Sequence, residues 1–389
     1  MTPVVLARRP IPRPVRWGIV AAVAGLAACL FGVLRLPQAL FAAYLAVYLF
    51  WLGIALGSLA VLMLHHLVGG GWGFLIRRTL EAAAGTLPLM AILFLPIAAG
   101  MPEIYSWARP GAADDPILRA KSGYLNGPFF IARAGVYFAV WILLAVLLDR
   151  ASGKQDRTGD PETTKRLKTL SGPGLVVYGL TVSFAAVDWG MSLEPHWVST
   201  IYGMTFMVGQ ALSALAFATF MVSRLAGRPP VSHAATPQRL HDLGNLLLAF
   251  VMLWAYVAFA QYLLIWSANL PEEVPWYLTR TRAAWKGAAL FLVVFHFAAP
   301  FLFLLSRDMK RTAERAGAIA ALVLSARLVD YVWLVVPPFA AAGAHPVWLV
   351  PAAGATVGGA WVALFARNLR RRELLPPRDP RFAEAVSPS

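Results

Sequence analysis

The run Leu40-Phe-Ala-Ala-Tyr-Leu-Ala-Val-Tyr-Leu-Phe-Trp-Leu-Gly-Ile-Ala-Leu-Gly-Ser-Leu-Ala-Val-Leu-Met-Leu-His-His-Leu-Val68 decides the fold. It holds no Asp, Glu, Lys or Arg and exceeds the roughly 20 apolar residues that span a bilayer core. It is long enough to tilt, or to project beyond the hydrocarbon. It ends in Leu64-His65-His66-Leu67, followed by the flexible turn Gly69-Gly70-Gly71-Trp72-Gly73. Comparable runs recur along the chain, which is 59% hydrophobic and only 14% charged. Soluble domains carry about 25% charged residues. The pattern predicts an all-α polytopic membrane protein.

Outward from that run we read ten transmembrane helices, at about Trp17–Leu34, Leu40–Val68, Leu80–Gly100, Phe129–Leu148, Pro173–Val187, Thr200–Arg224, Leu243–Ser267, Ala284–Ser306, Gly317–Val336 and Val347–Ala366. They suggest one membrane domain over 17–368, with four-helix bundles at about 40–187 and 200–338 and peripheral first and last helices. A short segment (1–16) precedes it and a proline-rich tail (369–389) follows. The first run has no A-x-A-like cleavage site before Pro37, so it is read as a retained helix. Pro88 and Pro96 fall inside the third helix, which a membrane helix tolerates when neighbours satisfy the freed carbonyls.

The net charge of +15 is distributed as topology rather than as a nucleic-acid face. Arg8, Arg9, Arg77, Arg78, the 149–172 loop, the 227–240 loop, the Arg307 turn and Arg367–Arg372 alternate with less basic connections. The positive-inside rule then makes both termini cytoplasmic. Trp107, Trp189, Trp197, Trp276 and Trp348 would form an aromatic belt at the outer edge, near the His345 turn. The single Cys29 leaves no cysteine set for an iron–sulfur cluster or structural zinc.

A polar group at membrane depth is costly, which makes it a functional candidate. His296, in Phe295-His-Phe-Ala-Ala-Pro300, lies near the middle of the eighth helix; an interhelical hydrogen bond is the competing reading. Arg327 and Asp330 are three apart and share a face, with Tyr331 beside them. They are either a structural pair or a proton or quinone site. Arg133 is read as snorkelling to the interface. His65 and His66 are a proton entry or simply a polar helix end, and Glu81 a partner for the next helix dipole. The densest segment is Asp188-Trp-Gly-Met-Ser-Leu-Glu-Pro-His-Trp-Val-Ser-Thr-Ile-Tyr-Gly203. Its Asp188, Glu194 and His196 could exchange protons with the outer aqueous phase; otherwise it is a solvated loop anchored by Trp189 and Trp197. With His296 the only mid-membrane histidine, no haem held between facing histidines is expected, and no P-loop, Rossmann fingerprint or zinc histidine pair occurs.

That segment resembles the hallmark of the ActF-type membrane subunit of alternative complex III, the bacterial quinol:cytochrome c oxidoreductase. Four shorter matches follow the same order: Tyr124-Leu-Asn with Phe129, Phe130 and Arg133; Asn269-Leu-Pro-Glu-Glu with Trp276, Tyr277 and Arg280; His296-Phe-Ala-Ala-Pro-Phe with Leu304, Leu305, Ser306, Arg307 and Lys310; and Asp330-Tyr-Val-Trp-Leu-Val-Val-Pro. The resemblance extends from about Leu40 to the tenth helix. It implies distant similarity to NrfD and polysulfide-reductase membrane anchors, built as two four-helix bundles. It implies a non-catalytic subunit of the bacterial inner membrane that supports assembly, and a proton half-channel drawn from His65, His66, Asp188, Glu194, His196, His296, Arg327, Asp330 and Tyr331. The expected partners are an ActC-like subunit with quinone nearby, iron–sulfur and haem c subunits, and membrane lipid, but no nucleic acid. This chain itself would bind no cofactor. Two alternatives stay open: a quinone-binding anchor of an NrfD-type oxidoreductase, and an independent secondary transporter.

Overall fold

The structure is a computed structural model that describes residues 12–282, 284–341, 349–376, 378, 379 and 382. Among these, nine helices are long and apolar enough to cross a membrane: Arg13–Arg35, Pro37–Val68, Gly71–Ala99, Gly127–Thr158, Pro161–Leu193, Tyr202–Leu225, Pro237–Ala268, Trp285–Leu305 and Ala313–Val335. The protein is an all-helical, multi-pass membrane protein. The tenth expected helix forms as Val350–Leu369, with Arg367 and Asn368 in its last turn, and is not among those nine. The expectations placed on Arg8, Arg9, His345 and Trp348 lie outside the described residues.

The second and sixth crossings are the most enclosed and meet each other at the centre. The third and fifth pack against the second, with the fourth against those two; the seventh and ninth pack against the sixth, with the eighth against those two. At the central crossing a Cβ on Gly57 would lie 1.9 Å from the Gln210 carbonyl oxygen, so two backbones touch there. Lipid is as apolar as leucine, so such close packing does the work that water-driven burial does in soluble proteins. The same device joins the tenth helix to the first, where a Cβ on Gly25 would lie 2.5 Å from the Thr356 nitrogen and one on Gly359 2.6 Å from the Gly18 oxygen.

Several helices start or end elsewhere than expected, chiefly at the basic face, the end that carries Arg77, Arg150 and Arg372. The fourth crossing continues to Thr158 and the fifth starts at Pro161, so most of the expected 149–172 loop is helix projecting past the apolar stretch. Asp160 caps the fifth crossing by accepting from the Glu162 amide at 3.0 Å. The third crossing begins at Gly71, not near Leu80. This puts Arg77 and Arg78, expected in a turn, inside a buried helix. Its prolines divide it into Gly71–Ala84, Leu87–Leu93 and Leu95–Ala99. Carbonyls at the breaks accept from neighbouring hydroxyls: Met90 from Tyr48 at 2.9 Å, Leu93 from Tyr44 at 2.8 Å and Ala83 from Thr86 at 2.6 Å.

Replacing Gly57 by Ala should force the two central helices apart. We expect a loss of about 1–3 kcal/mol, read as a lower unfolding midpoint in detergent. Gly123→Ala, where an added Cβ meets nothing within 4 Å, should leave the midpoint nearly unchanged.

Candidate functional site

The Asp188–Gly203 segment does not form a solvated loop. The fifth helix runs through Asp188 to Trp189, and a 3-10 turn follows at Met191–Leu193. Asp188 is 0% exposed, which corrects the expectation that it meets the aqueous phase. Arg133 does not snorkel: its Nε and Nη2 both donate to Asp188 at 2.9 Å, and the Tyr137 hydroxyl donates at 2.8 Å. A planar guanidinium meeting a carboxylate two-pronged is the strong form of this pair. The Arg133 guanidinium lies 3.9 Å from the Tyr124 ring centre, and burial together with the Asp188 charge pushes the Tyr124 hydroxyl up to about 12. Trp189 and Trp197 are interior side chains, as are Trp107 and Trp276, so these four form no interfacial belt. Trp189 stacks among Phe94, Phe138 and Trp141, and Trp197 lies flat on Trp276 at 4.8 Å.

Glu194 and His196 do reach the outside of this end. His196 is 53% exposed and its Nε2 lies 2.7 Å from Asp115. Asp115 also caps the short helix Pro116–Lys121 by accepting from the Ile117 amide at 2.8 Å. Desolvation works against its charge, but the Ile117 amide, the His196 ring and the Leu118 amide outweigh it and hold the carboxyl below its ordinary value. Glu194, 23% exposed, receives Arg280 Nη2 at 2.5 Å. Arg280, 1% exposed, also donates to the Leu334 carbonyl at 2.8 Å and stacks 3.8 Å from the Trp276 ring centre.

Leu334 leads to a second centre, because Asp330 lies one helical turn, about 6 Å of rise, before it. Arg327 pairs with Asp330, and the Trp254 indole donates to the same carboxylate oxygen at 3.3 Å. Arg327 Nε also faces the Ser213 hydroxyl at 3.3 Å, and Gly209 leaves room for its guanidinium. His296 is fully buried with its ring 3.8 Å from that of Trp254. Neither of its ring nitrogens has a hydrogen-bond partner among the described residues, and neither has the Tyr331 hydroxyl. His296 sits in a π-helical turn, Leu292–Ala298. Pro300 lacks the amide that an α-helix would offer the His296 carbonyl, and the Ala299 amide bonds Val294, five residues back. Such turns are frequent at functional sites.

A cleft of about 680 Å³ opens beside this centre. Trp254, Tyr262, Trp276, Tyr277 and Trp333 line it, with Asp330 in its wall. Tyr256, Phe259 and Val293 at its edge are exposed, so it opens sideways to the lipid-facing surface.

The remaining candidates lie elsewhere. His65 and His66 are buried at the basic end of the second helix, with the His65 ring against Trp72 and Phe74. Nearby is a cluster the sequence reading missed. Glu81 receives Arg77 Nε at 2.9 Å, Arg78 Nη1 at 2.6 Å and the Ser152 hydroxyl at 2.6 Å. Arg77 reaches Asp379 of the tail at 2.7 Å. Glu81 is thus an ion-pair partner more than a helix-dipole one. Arg280, Trp254, Ser213 and Tyr137 were missed as site residues too. For Trp254, Ser213 and Tyr137 the one sequence signal is a polar or indole side chain within an apolar run; Arg280 stands in the polar connection after Ser267 and carried only the resemblance. Among the described residues no three His, Cys, Asp or Glu side chains come together as a metal site would need. Compared with family models and curated proteins, the chain matches no family model and no curated relative.

Two outcomes follow from this geometry. Asp188→Ala strands the Arg133 charge and should cost about 3–5 kcal/mol, whereas a paired Asp188→Leu/Arg133→Leu variant should recover part of that loss in the same unfolding assay. Asp115 has a folded value below its unfolded one of about 3.9, so an unfolded chain binds more protons there. Its stabilisation is complete above that range and lost as pH falls through the folded value. Asp115→Asn should flatten the acid limb of the thermal-stability profile.

Proposed function

We propose that this chain is an integral membrane subunit of the alternative complex III type, supporting quinol:cytochrome c oxidoreduction by assembly and by a proton half-channel in its second bundle. In this reading it sits in a bacterial inner membrane with both termini cytoplasmic. Its partners are an ActC-like subunit and the iron–sulfur and haem c subunits that carry the electrons. The resemblance of the Asp188–Gly203 segment and its four companions supports the family.

One observation carries the proton role. The Arg327–Asp330 pair, with His296 and Tyr331 beside it, lies one helical turn from Leu334, whose carbonyl accepts from the Arg280 that also pairs with the partly exposed Glu194. A proton entering at the Glu194 carboxylate passes to Asp330, while Arg280 and Arg327 hold the two carboxylates in place. His296 is the next group along, and the Trp254 indole fixes the Asp330 rotamer from which transfer occurs. Intramembrane carboxylate and histidine chains are the usual form of such relays.

The cleft favours a second reading. Its aromatic walls and single carboxylate suit a lipophilic ring with a hydrogen-bonding head, such as a quinone. One experiment addresses both. The Asp330→Asn chain is expressed with its partners, purified by a tag on this subunit and reconstituted. Haem and iron–sulfur subunits should co-purify, and the proton-to-electron ratio should fall while quinol oxidation persists. An unchanged ratio sinks the relay. Lost quinol oxidation with assembly intact favours the quinone site, and isolation without partners favours an independent transporter.

A further inference from the structure

A second cavity, of about 280 Å³, lies at the basic face between the third, fourth and tenth helices. Its composition changes with depth. The inner wall is Ala82, Pro88, Ile142, Ala145 and Val146. The mouth carries Arg78, Arg150, Arg371 and Arg372, with Glu81 and Asp149 as the acidic residues. From Ile142 to Arg150 the fourth helix rises about 12 Å, enough to lead from hydrocarbon to the headgroup level.

The two acids are already engaged. Glu81 is held by Arg77, Arg78 and Ser152, and Asp149 receives Arg372 Nη2 at 2.9 Å. Arg150 and Arg371 line the same mouth, are exposed, and form no ion pair among the described residues. Asn368 Nδ2 donates to the Ala82 carbonyl at 3.2 Å and fixes the end of the tenth helix against the third. On the membrane side the wall is open: Gly85 and Pro88 are exposed, and Ile92 and Leu143 continue the apolar surface outward.

We propose that this cavity holds an anionic phospholipid from the leaflet at the basic face, its phosphodiester between Arg150 and Arg371 and an acyl chain along Pro88 and Ile142. Guanidiniums at the mouth recognise the phosphate, and each contributes modestly because it stays hydrated. The apolar, laterally open floor selects a lipid over a soluble anion. Basic pockets between helices at the cytoplasmic level of a bilayer are suited to such headgroups. The site is independent of the Asp330 centre and of the function proposed for it.

The test uses the full chain, delipidated in detergent, with phosphatidylglycerol, phosphatidylcholine or inorganic phosphate added back. Retained lipid is counted by native mass spectrometry and stability by thermal unfolding. Phosphatidylglycerol should bind and stabilise where phosphatidylcholine does not. Arg150→Gln/Arg371→Gln, at two exposed positions outside the buried ion pairs, should weaken its retention about ten- to thirty-fold. Arg307→Gln/Arg311→Gln, on the same face but outside the cavity, should leave it unchanged. Equal effects of the two lipids, an equal loss in the Arg307/Arg311 variant, or full retention by the Arg150/Arg371 variant would each overturn the proposal. So would stabilisation by inorganic phosphate alone, which would make the ligand a soluble anion.

Discussion

A charge enclosed by apolar helices has no water to turn to, and this chain answers each of its buried carboxylates with a guanidinium. Asp188 has Arg133, Asp330 has Arg327, Glu81 has Arg77 and Arg78, and Asp379 has Arg77. Arginine suits the task because its planar fork supplies five donors and does not lose its proton. Each pair also carries geometric information. Arg133 and Asp188 fix the rotation of the fourth helix against the fifth, and Arg280 ties the Glu194 turn to the ninth. Asp379 brings the tail back onto the third helix. Packing between helices gains little from the hydrophobic effect in lipid, so these contacts, with the close backbone approaches at Gly57 and Gly359, set how the helices sit.

The crossings themselves were legible in the sequence because apolar length is a local property. Nine of the ten expected runs became helices of membrane-spanning character among the described residues. Ends at the basic face were not legible. Lys and Arg end an apolar run, yet they are good helix formers, so the fourth and fifth helices continue beyond the hydrocarbon. Pairing was not legible either. Nothing local to Arg133 says that Asp188, 55 residues later, will meet it. The site candidates were therefore recognised as costly residues but given wrong surroundings: Asp188 and Arg133 were expected near water and are instead enclosed together. Arg327 and Asp330 were read correctly as facing one another, because their spacing of three fixes that within a single helix.

The two bundles resolve the same constraint differently, and the difference singles out the second. In the first, Asp188 receives two guanidinium donors and a tyrosine hydroxyl, and aromatic rings close over the pair. The carboxylate itself is fully engaged, although the Tyr124 hydroxyl and the Trp189 indole nitrogen beside it have no hydrogen-bond partner among the described residues. In the second, Asp330 stands beside a histidine and a tyrosine whose polar atoms have no partner among the described residues, and a lipid-open cleft reaches its wall. Leaving such groups unsatisfied costs on the order of 1–3 kcal/mol each. The π-helical turn that carries His296 adds a further departure from the cheapest helix. A bundle under selection for stability alone would fill the cleft and replace the histidine with a leucine, since an apolar side chain leaves no buried polar atom unsatisfied. What separates the Asp330 centre from the Asp188 pair is therefore the lipid-open cleft that reaches its wall, together with a fully buried histidine whose ring nitrogens have no partner among the described residues.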